Sequence, residues 1–211
     1  MTNRERRDCG LAYLVDEELL AEMSACKRRL KKVNDLDPWD YKMIVEAEKE
    51  VIPHSQDLYL VPPFYCDYGT NITLGKNFSA NVNCTFLDVA SIEIGDNCML
   101  GPGVLLCTAG HPMHPAARAT GYEYGKPIRI GSNCWLGGNV SVLPGVTIGD
   151  NVVIGTGSVV THDIPSNVVA VGNPCRVLRP ITEDDRRILW KKEEIDEEAW
   201  RLMGNKKETQ G

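Results

Sequence analysis

The chain has 211 residues, of which 43% are hydrophobic and 25% charged, and a net charge of −6. That is the make-up of one soluble domain with appendages, and it excludes a surface built to neutralise nucleic-acid phosphates. No run approaches the ~20 apolar residues of a membrane span, and Leu11 to Val15 is too short for a signal-peptide core, so a cytoplasmic protein is expected.

Asp16, Glu17 and Glu18 read as a helix start, a cap followed by acids at the positive end of the dipole. Leu19, Leu20, Met23, Cys26, Leu30 and Val33 form its apolar stripe, and Asp37-Pro38 ends it. A second helix is predicted from Asp40 to about Val51, stopping at Pro53. Val61-Pro-Pro-Phe64 then links this helical preface to a different kind of pattern.

From Ile130 to Val160 an aliphatic residue recurs at every sixth position: Ile130, Leu136, Val142, Ile148, Ile154 and Val160. Glycine follows at 131, 137, 149 and 155, and small or β-branched residues stand four after the aliphatic. A period of six is neither helical nor alternating. It suits a short strand and a turn, three of which make one triangular coil of a parallel β-helix. Earlier in the chain two series keep this spacing, Ile72, Phe78 and Cys84 beside Leu74, Ala80, Phe86 and Ile92, which leaves the phase open. Ile94, Leu100 and Leu106 are clear, and residues 107–127 then carry no anchors before Ile130 resumes in phase. An interruption that preserves phase reads as a loop thrown out of a continuous coil, and long loops in compact folds are usually functional.

Past Val160 the coil loosens through Ile164-Pro165 and Gly172-Asn-Pro174. A C-terminal helix is predicted from Thr182, with Ile188, Leu189, Ile195, Ala199 and Trp200 as apolar positions, Gly204 as its stop and a disordered polar tail. The expected organisation is a helical region over 1–60, a β-helix over 61–180 with the loop 107–127 protruding, and a C-terminal helix and tail over 181–211. The eight cysteines include no C-x-x-C pair and read as reduced structural thiols.

The loop supplies His111 and His114, and imidazole is the side chain best suited to accept a proton near neutral pH. The plain alternative is a satisfied loop histidine. Asn81 and Asn83, one coil earlier, could orient a substrate or polarise a carbonyl. A zinc reading, as in a β-helical carbonic anhydrase, needs three ligands from His54, His111, His114 and His162, and His-x-x-His in a Pro-rich loop is no metal signature. No metal is expected. Arg176 and Arg179, three apart, are either solvated surface charge or a clamp for a phosphorylated cofactor. No nucleophile elbow, P-loop or dinucleotide fingerprint is present.

Several stretches resemble the maltose/galactoside O-acetyltransferase family of hexapeptide-repeat enzymes. They are Pro63 to Ile72, Asn81 to Asp88, Gly101-Pro-Gly-Val104, Thr108-Ala-Gly-His-Pro112, Trp135-Leu-Gly-Gly138, Pro144 to Gly149, Ser158 to Thr161 and Gly172-Asn-Pro174. The resemblance implies a mainly β fold, a left-handed parallel β-helix, assembled as a homotrimer with active sites between subunits and acetyl-CoA as co-substrate. It further implies His111 as general base in direct transfer to a hydroxyl of a sugar or similar small acceptor, with Asn81 at the reacting centre. Asp16, Asp67, Asn81 and Asp88 fall at acceptor-binding positions. Trp135, Gly138, Thr156, Thr161 and His162 match the wall along which pantetheine runs, and Arg176 and Arg179 lie near the cofactor phosphates. His162 replaces a usual lysine, Ser79 an aromatic and Val89 a residue that is sometimes acidic. A non-sugar acceptor (amino acid, amine or xenobiotic) and an inactive assembly subunit stand as alternatives.

Overall fold

The computed structural model describes residues 1–55 and 57–205. Short strands wind into a triangular prism of three sheets. Face A stacks strands from Leu58–Leu60 up to Arg176–Pro180; face B runs from Tyr65–Cys66 to Val159–Val160; face C runs from Ile72–Leu74 to Thr147–Ile148. Pairing is parallel on face A through Val168–Val171 and throughout faces B and C. Register on face A passes from Ser79 to Met99, Trp135, Val153 and Val169. Residues 107–127 leave the coil after Leu105–Cys107 and rejoin at Ile128–Ile130, as the unbroken phase implied.

The open phase has a simple cause. Each full strand turns two residues inward, as in Ile92-Glu93-Ile94, where both isoleucines are buried and the glutamate is exposed. The period-six series are therefore two inward rows, not rival phases. Ile92 keeps the spacing of Phe86 but pairs with Ile72, so two extra residues enter at the turn between them. A comparable pair enters between Cys66 and Leu74, while Val142 to Ile148 is the unexpanded six. Both insertions, and the long loop, fall at the corner between faces B and C.

The corner between faces C and A repeats without change. Asn77, Asn97, Asn133, Asn151 and Asn167 each take the left-handed conformation, with φ from 54° to 62°. Asparagine tolerates that region better than other side chains bearing a Cβ. Their amides form a ladder in which each Nδ2 donates to the next Oδ1, at 3.1, 3.1, 3.0 and 2.8 Å. Cys98 and Cys134 fill the inner small-residue slots, and all eight cysteines are free thiols.

Three helices precede the prism. α1 (Asn3–Asp8) adds an element to the two predicted, closed by a Thr2–Glu5 capping box. α2 (Glu17–Asn34) starts at the Asp16 cap and α3 (Tyr41–Val51) at Asp40. Cys26, Leu30, Val33, Val51 and Ile52 join the core of the first coils. Leu20 departs from the predicted stripe, being 53% exposed, because its neighbour Leu19 takes the inward position and adjacent helical residues cannot share one face.

Residues 1–179 form one compact unit, and the chain from Pro180 a second. Here the expected helix is displaced. Thr182 caps a single 3-10 turn, Glu183–Arg187, and Ile188–Trp190 pairs antiparallel with Glu193–Glu194. Lys191 between them has φ 54°, which reverses the chain where a helix would have to continue. Only α5 (Glu197–Asn205) is α-helical here, a further helix, α4 (Pro115–Arg118), lying in the protruding loop; the predicted tail beyond 205 lies outside the described residues. No helix among the described residues is long and apolar enough to cross a membrane.

Candidate active site

The corner between faces B and C is built around Asp88. Its side chain is fully buried, and Oδ1 accepts from Asp67 N and Tyr68 N, both at 2.9 Å, while Oδ2 accepts Gly69 N at 2.8 Å. Burial outweighs those donors and pushes its pKa up. Gly69, at φ 74°, sits against the Val51 carbonyl where a Cβ would overlap. One coil later Thr108 Oγ1 donates to Leu87 O at 2.6 Å and accepts from Ala90 N at 2.9 Å. These bonds fix the platform from which the long loop departs.

Ala109–Gly110 pairs antiparallel with Tyr124–Gly125, and Gly110 lies against the Tyr124 ring, where any side chain would collide. Between them α4 (Pro115–Arg118) is capped by His114, whose Nδ1 accepts from Ala116 N at 3.3 Å. Arg118 Nη1 donates to Pro112 O and Met113 O at 3.1 and 2.9 Å, closing the tip. His111 is thus left on an internally braced loop with its side chain 55% exposed.

Its Nε2 faces Glu123 Oε2 at 4.0 Å. The other Glu123 oxygen accepts from the Tyr13 hydroxyl at 2.5 Å, and Tyr13 and Glu123 exchange backbone hydrogen bonds of 3.0 Å. Tyr13 is fully buried; burial and the glutamate raise its pKa, so it remains a donor. Glu123 was not among the predicted site residues. The available signal was that it is the only acidic residue within 107–127.

Asp67, half-buried below this loop, has its pKa pushed up to about 6, first by burial and then by Asp88, with Lys27 opposing. It lines a 370 Å³ cavity with Lys27, Leu30, Asn34 and Tyr65. Asp16 serves as the cap of α2: Oδ1 accepts Leu19 N at 3.2 Å and Oδ2 accepts Asn3 Nδ2 at 3.0 Å. Asp88 has no exposed surface, so its part in acceptor binding would be to hold Asp67 in place.

Asp67, Asp88 and His111 share one corner, but Asn81 does not. It is exposed at the corner between faces A and B, its Oδ1 accepting Val82 N at 2.8 Å. The strand of face B between the two corners spans about 10 Å. Gly138 and Thr156 stack on the A–B corner, where a Cβ on Gly138 would come within 3.2 Å of Pro102 O. Trp135, 53% exposed, stands on face A in register with Met99 and Val153. Thr161 and His162 belong to the last B–C corner, with Thr161 Oγ1 2.8 Å from His162 Nδ1. His162, Asp163, Cys175 and Arg176 line a 290 Å³ recess there, and Arg179 follows on the strand Arg176–Pro180.

Family models for the bacterial transferase hexapeptide (six repeats) and the hexapeptide repeat of succinyl-transferase match residues 127–162 and 82–107. Galactoside O-acetyltransferase of Escherichia coli is 48% identical over 67% of this chain and 70% of its own. The chain belongs to the maltose/galactoside O-acetyltransferase family. A putative acetyltransferase of Saccharomyces cerevisiae is also 48% identical, over 81% of this chain and 87% of the yeast protein. A maltose O-acetyltransferase structure from Clostridium difficile superposes with a TM-score of 0.84 at 47% identity, covering 87% of this chain and 99% of that one. A galactoside acetyltransferase in complex with coenzyme A gives 0.85 at 39% identity, over 93% and 99%. The prism is the left-handed β-helix of this family, and the chain is an acetyltransferase of the hexapeptide-repeat class.

Proposed function

We propose that the chain transfers an acetyl group from acetyl-CoA to a hydroxyl of a sugar or similar small acceptor, with His111 as general base. The observation that carries this reading is the Tyr13–Glu123–His111 series: a buried phenol holds a carboxylate, and the carboxylate faces an exposed imidazole. With Nε2 turned to Glu123, Nδ1 is left to accept the hydroxyl proton. The acceptor oxygen bonds to the thioester carbonyl carbon, the C–S bond then breaks, and the imidazolium returns its proton to the departing thiolate. Glu123 orients the ring and faces its positive charge while the proton is held. No acetyl-enzyme is required.

Asn81 would donate to the carbonyl oxygen as it gains charge. It stands one face away from His111 in the same chain, so a complete site calls for a second copy that brings an A–B corner against a B–C corner. A homotrimer closes that head-to-tail contact three times. The residues available fit acetyl-CoA. Gly138 presents bare backbone beside Pro102, Trp135 and Thr156 flank it, and Thr161, His162, Arg176 and Arg179 supply polar and cationic groups for the pantetheine arm and phosphates. Asp67 would accept from an acceptor hydroxyl, held there by Asp88, with Asp16 at the rim.

A free-thiol assay with acetyl-CoA and a panel of galactosides, maltose and non-sugar alcohols and amines tests this. Acetylation of a sugar hydroxyl is expected. Turnover of amines alone would overturn the acceptor assignment, and a monomer in sedimentation would overturn the shared site.

A further inference from the structure

A third cavity, of 240 Å³, lies against Tyr68 between α1, α2 and the B–C corner. Arg4 of α1, Glu22, Ala25 and Arg29 of α2, and Tyr68 and Thr70 of the corner line it. Residues 22, 25 and 29 fall on one stripe of α2, and the small Ala25 leaves the space open. Two buried polar groups here lack an acceptor: Arg29 Nε has no partner, and the Tyr68 hydroxyl has beside it only the Arg7 guanidinium, which can only donate. Tyr68 is only 2% exposed. Nearly every buried polar group in a folded protein is hydrogen-bonded, so two orphans in one cavity call for an occupant.

Both orphans can donate, and a guanidinium N–H can only donate. The occupant must therefore present oxygen acceptors. The charges facing the cavity agree. Glu22 is already held by Arg4 at 3.2 Å and Arg7 at 3.1 Å, whereas Arg29 has no ion pair among the described residues. Arg7 lies over the Tyr68 ring at 4.4 Å and adds positive charge behind it. Arg4 is itself shared between Glu18 at 3.3 Å and Glu22 at 3.2 Å, which leaves Arg29 as the cation facing the space without a carboxylate among the described residues.

We propose that this cavity is a binding site for a small oxyanion, of phosphate or carboxylate chemistry, held by Arg29, Tyr68 and Arg4. It is separate from the proposed acetyl-transfer site and does not depend on that assignment. Occupancy ties α1 and α2 to the turn whose backbone N–H groups Asp88 receives. A ligand that binds only the folded chain raises its stability by mass action. The site therefore locks the N-terminal helices onto the corner that carries the His111 loop.

The test is thermal unfolding of the full chain during titration with inorganic phosphate, against sodium chloride at matched ionic strength. The melting temperature should rise by several degrees and saturate with phosphate only. Arg29→Met, which keeps the aliphatic stem, and Tyr68→Phe, which removes one oxygen, should each weaken the apparent phosphate affinity about tenfold, as loss of a charge-assisted hydrogen bond implies. Acetate in place of phosphate decides whether a carboxylate suffices. A phosphate response unchanged in Tyr68→Phe would overturn the proposal. So would a response that persists in both variants but vanishes in Arg176→Ala, which would place the phosphate at the distant recess. If Arg29→Met fails to fold, Tyr68→Phe alone decides, because its shape is conserved.

Discussion

The C–A and B–C corners are made by the same chain on the same coils, yet they obey opposite rules. At the C–A corner each coil repeats one asparagine turn, and each amide bonds to the next in an unbroken ladder. At the B–C corner no two of the lower coils turn alike: the Asp88 anchor, two short insertions, a twenty-one-residue loop and the N-terminal segment through Tyr13 all meet there. A repeat can supply identical environments, which hold a scaffold in register. Chemistry needs one environment unlike the others, and the proposed base stands where the repeat is broken and then braced by bonds from outside it.

Substitutions at the two corners should therefore separate stability from turnover. The largest stability effect is expected for Asp88→Ala, which strips the acceptor from three backbone N–H groups and should cost about 3 kcal/mol or more in urea unfolding, at 1 kcal/mol or more per orphaned donor. Glu123→Gln keeps the shape and an acceptor for Tyr13 but removes the charge facing His111. A charge pair at 4.0 Å near a surface supports a loss of about tenfold in kcat, with unfolding unchanged. Asn133→Ala is the mirror case: a residue at φ 58° loses its tolerance for that conformation and its ladder bonds, for about 1–2 kcal/mol of stability and no change in kcat.

The fourth effect sits at neither corner and depends on pH. Glu48 on α3 is fully buried, with one oxygen accepting Leu60 N at 3.0 Å and the other unpartnered. Burial pushes its pKa up to about 8 from an ordinary 4.5, so the folded state prefers the neutral acid. Its contribution is whole below pH 4.5 and is lost as pH rises towards 8. Glu48→Gln should gain in melting temperature over the parent progressively across that interval. A constant offset at every pH would show that Glu48 does not titrate in the fold.

The scaffold was legible because its signal is local and periodic. Two inward rows at period six identify the prism even where they cannot be told apart, and the loop was visible because its extra residues are a multiple of six. The two-residue insertion before Ile92 was hidden for the same reason, since it moves one inward row onto the other. His111 could be picked out by its place in the interruption. Glu123 could not be tied to it, because its holder Tyr13 lies 110 positions away and meets it only in the fold. Likewise Asp88 is expected from the sequence only at an acceptor-binding position, because its burial and its three backbone donors exist only in the fold. The C-terminal helix was overextended because apolar positions at 188 and 189 fit a helix or a strand equally, and the reversal at Lys191 decides.

The central claim is that the irregular corner carries the reaction through His111. The most direct measurement is kcat/KM of His111→Ala with acetyl-CoA and a turned-over sugar, alongside its unfolding curve. Loss of a general base predicts a fall of about 10²–10⁴-fold with the melting temperature unchanged, since the imidazole is mostly in solvent. A variant that folds normally and retains the parent's kcat/KM would contradict the account.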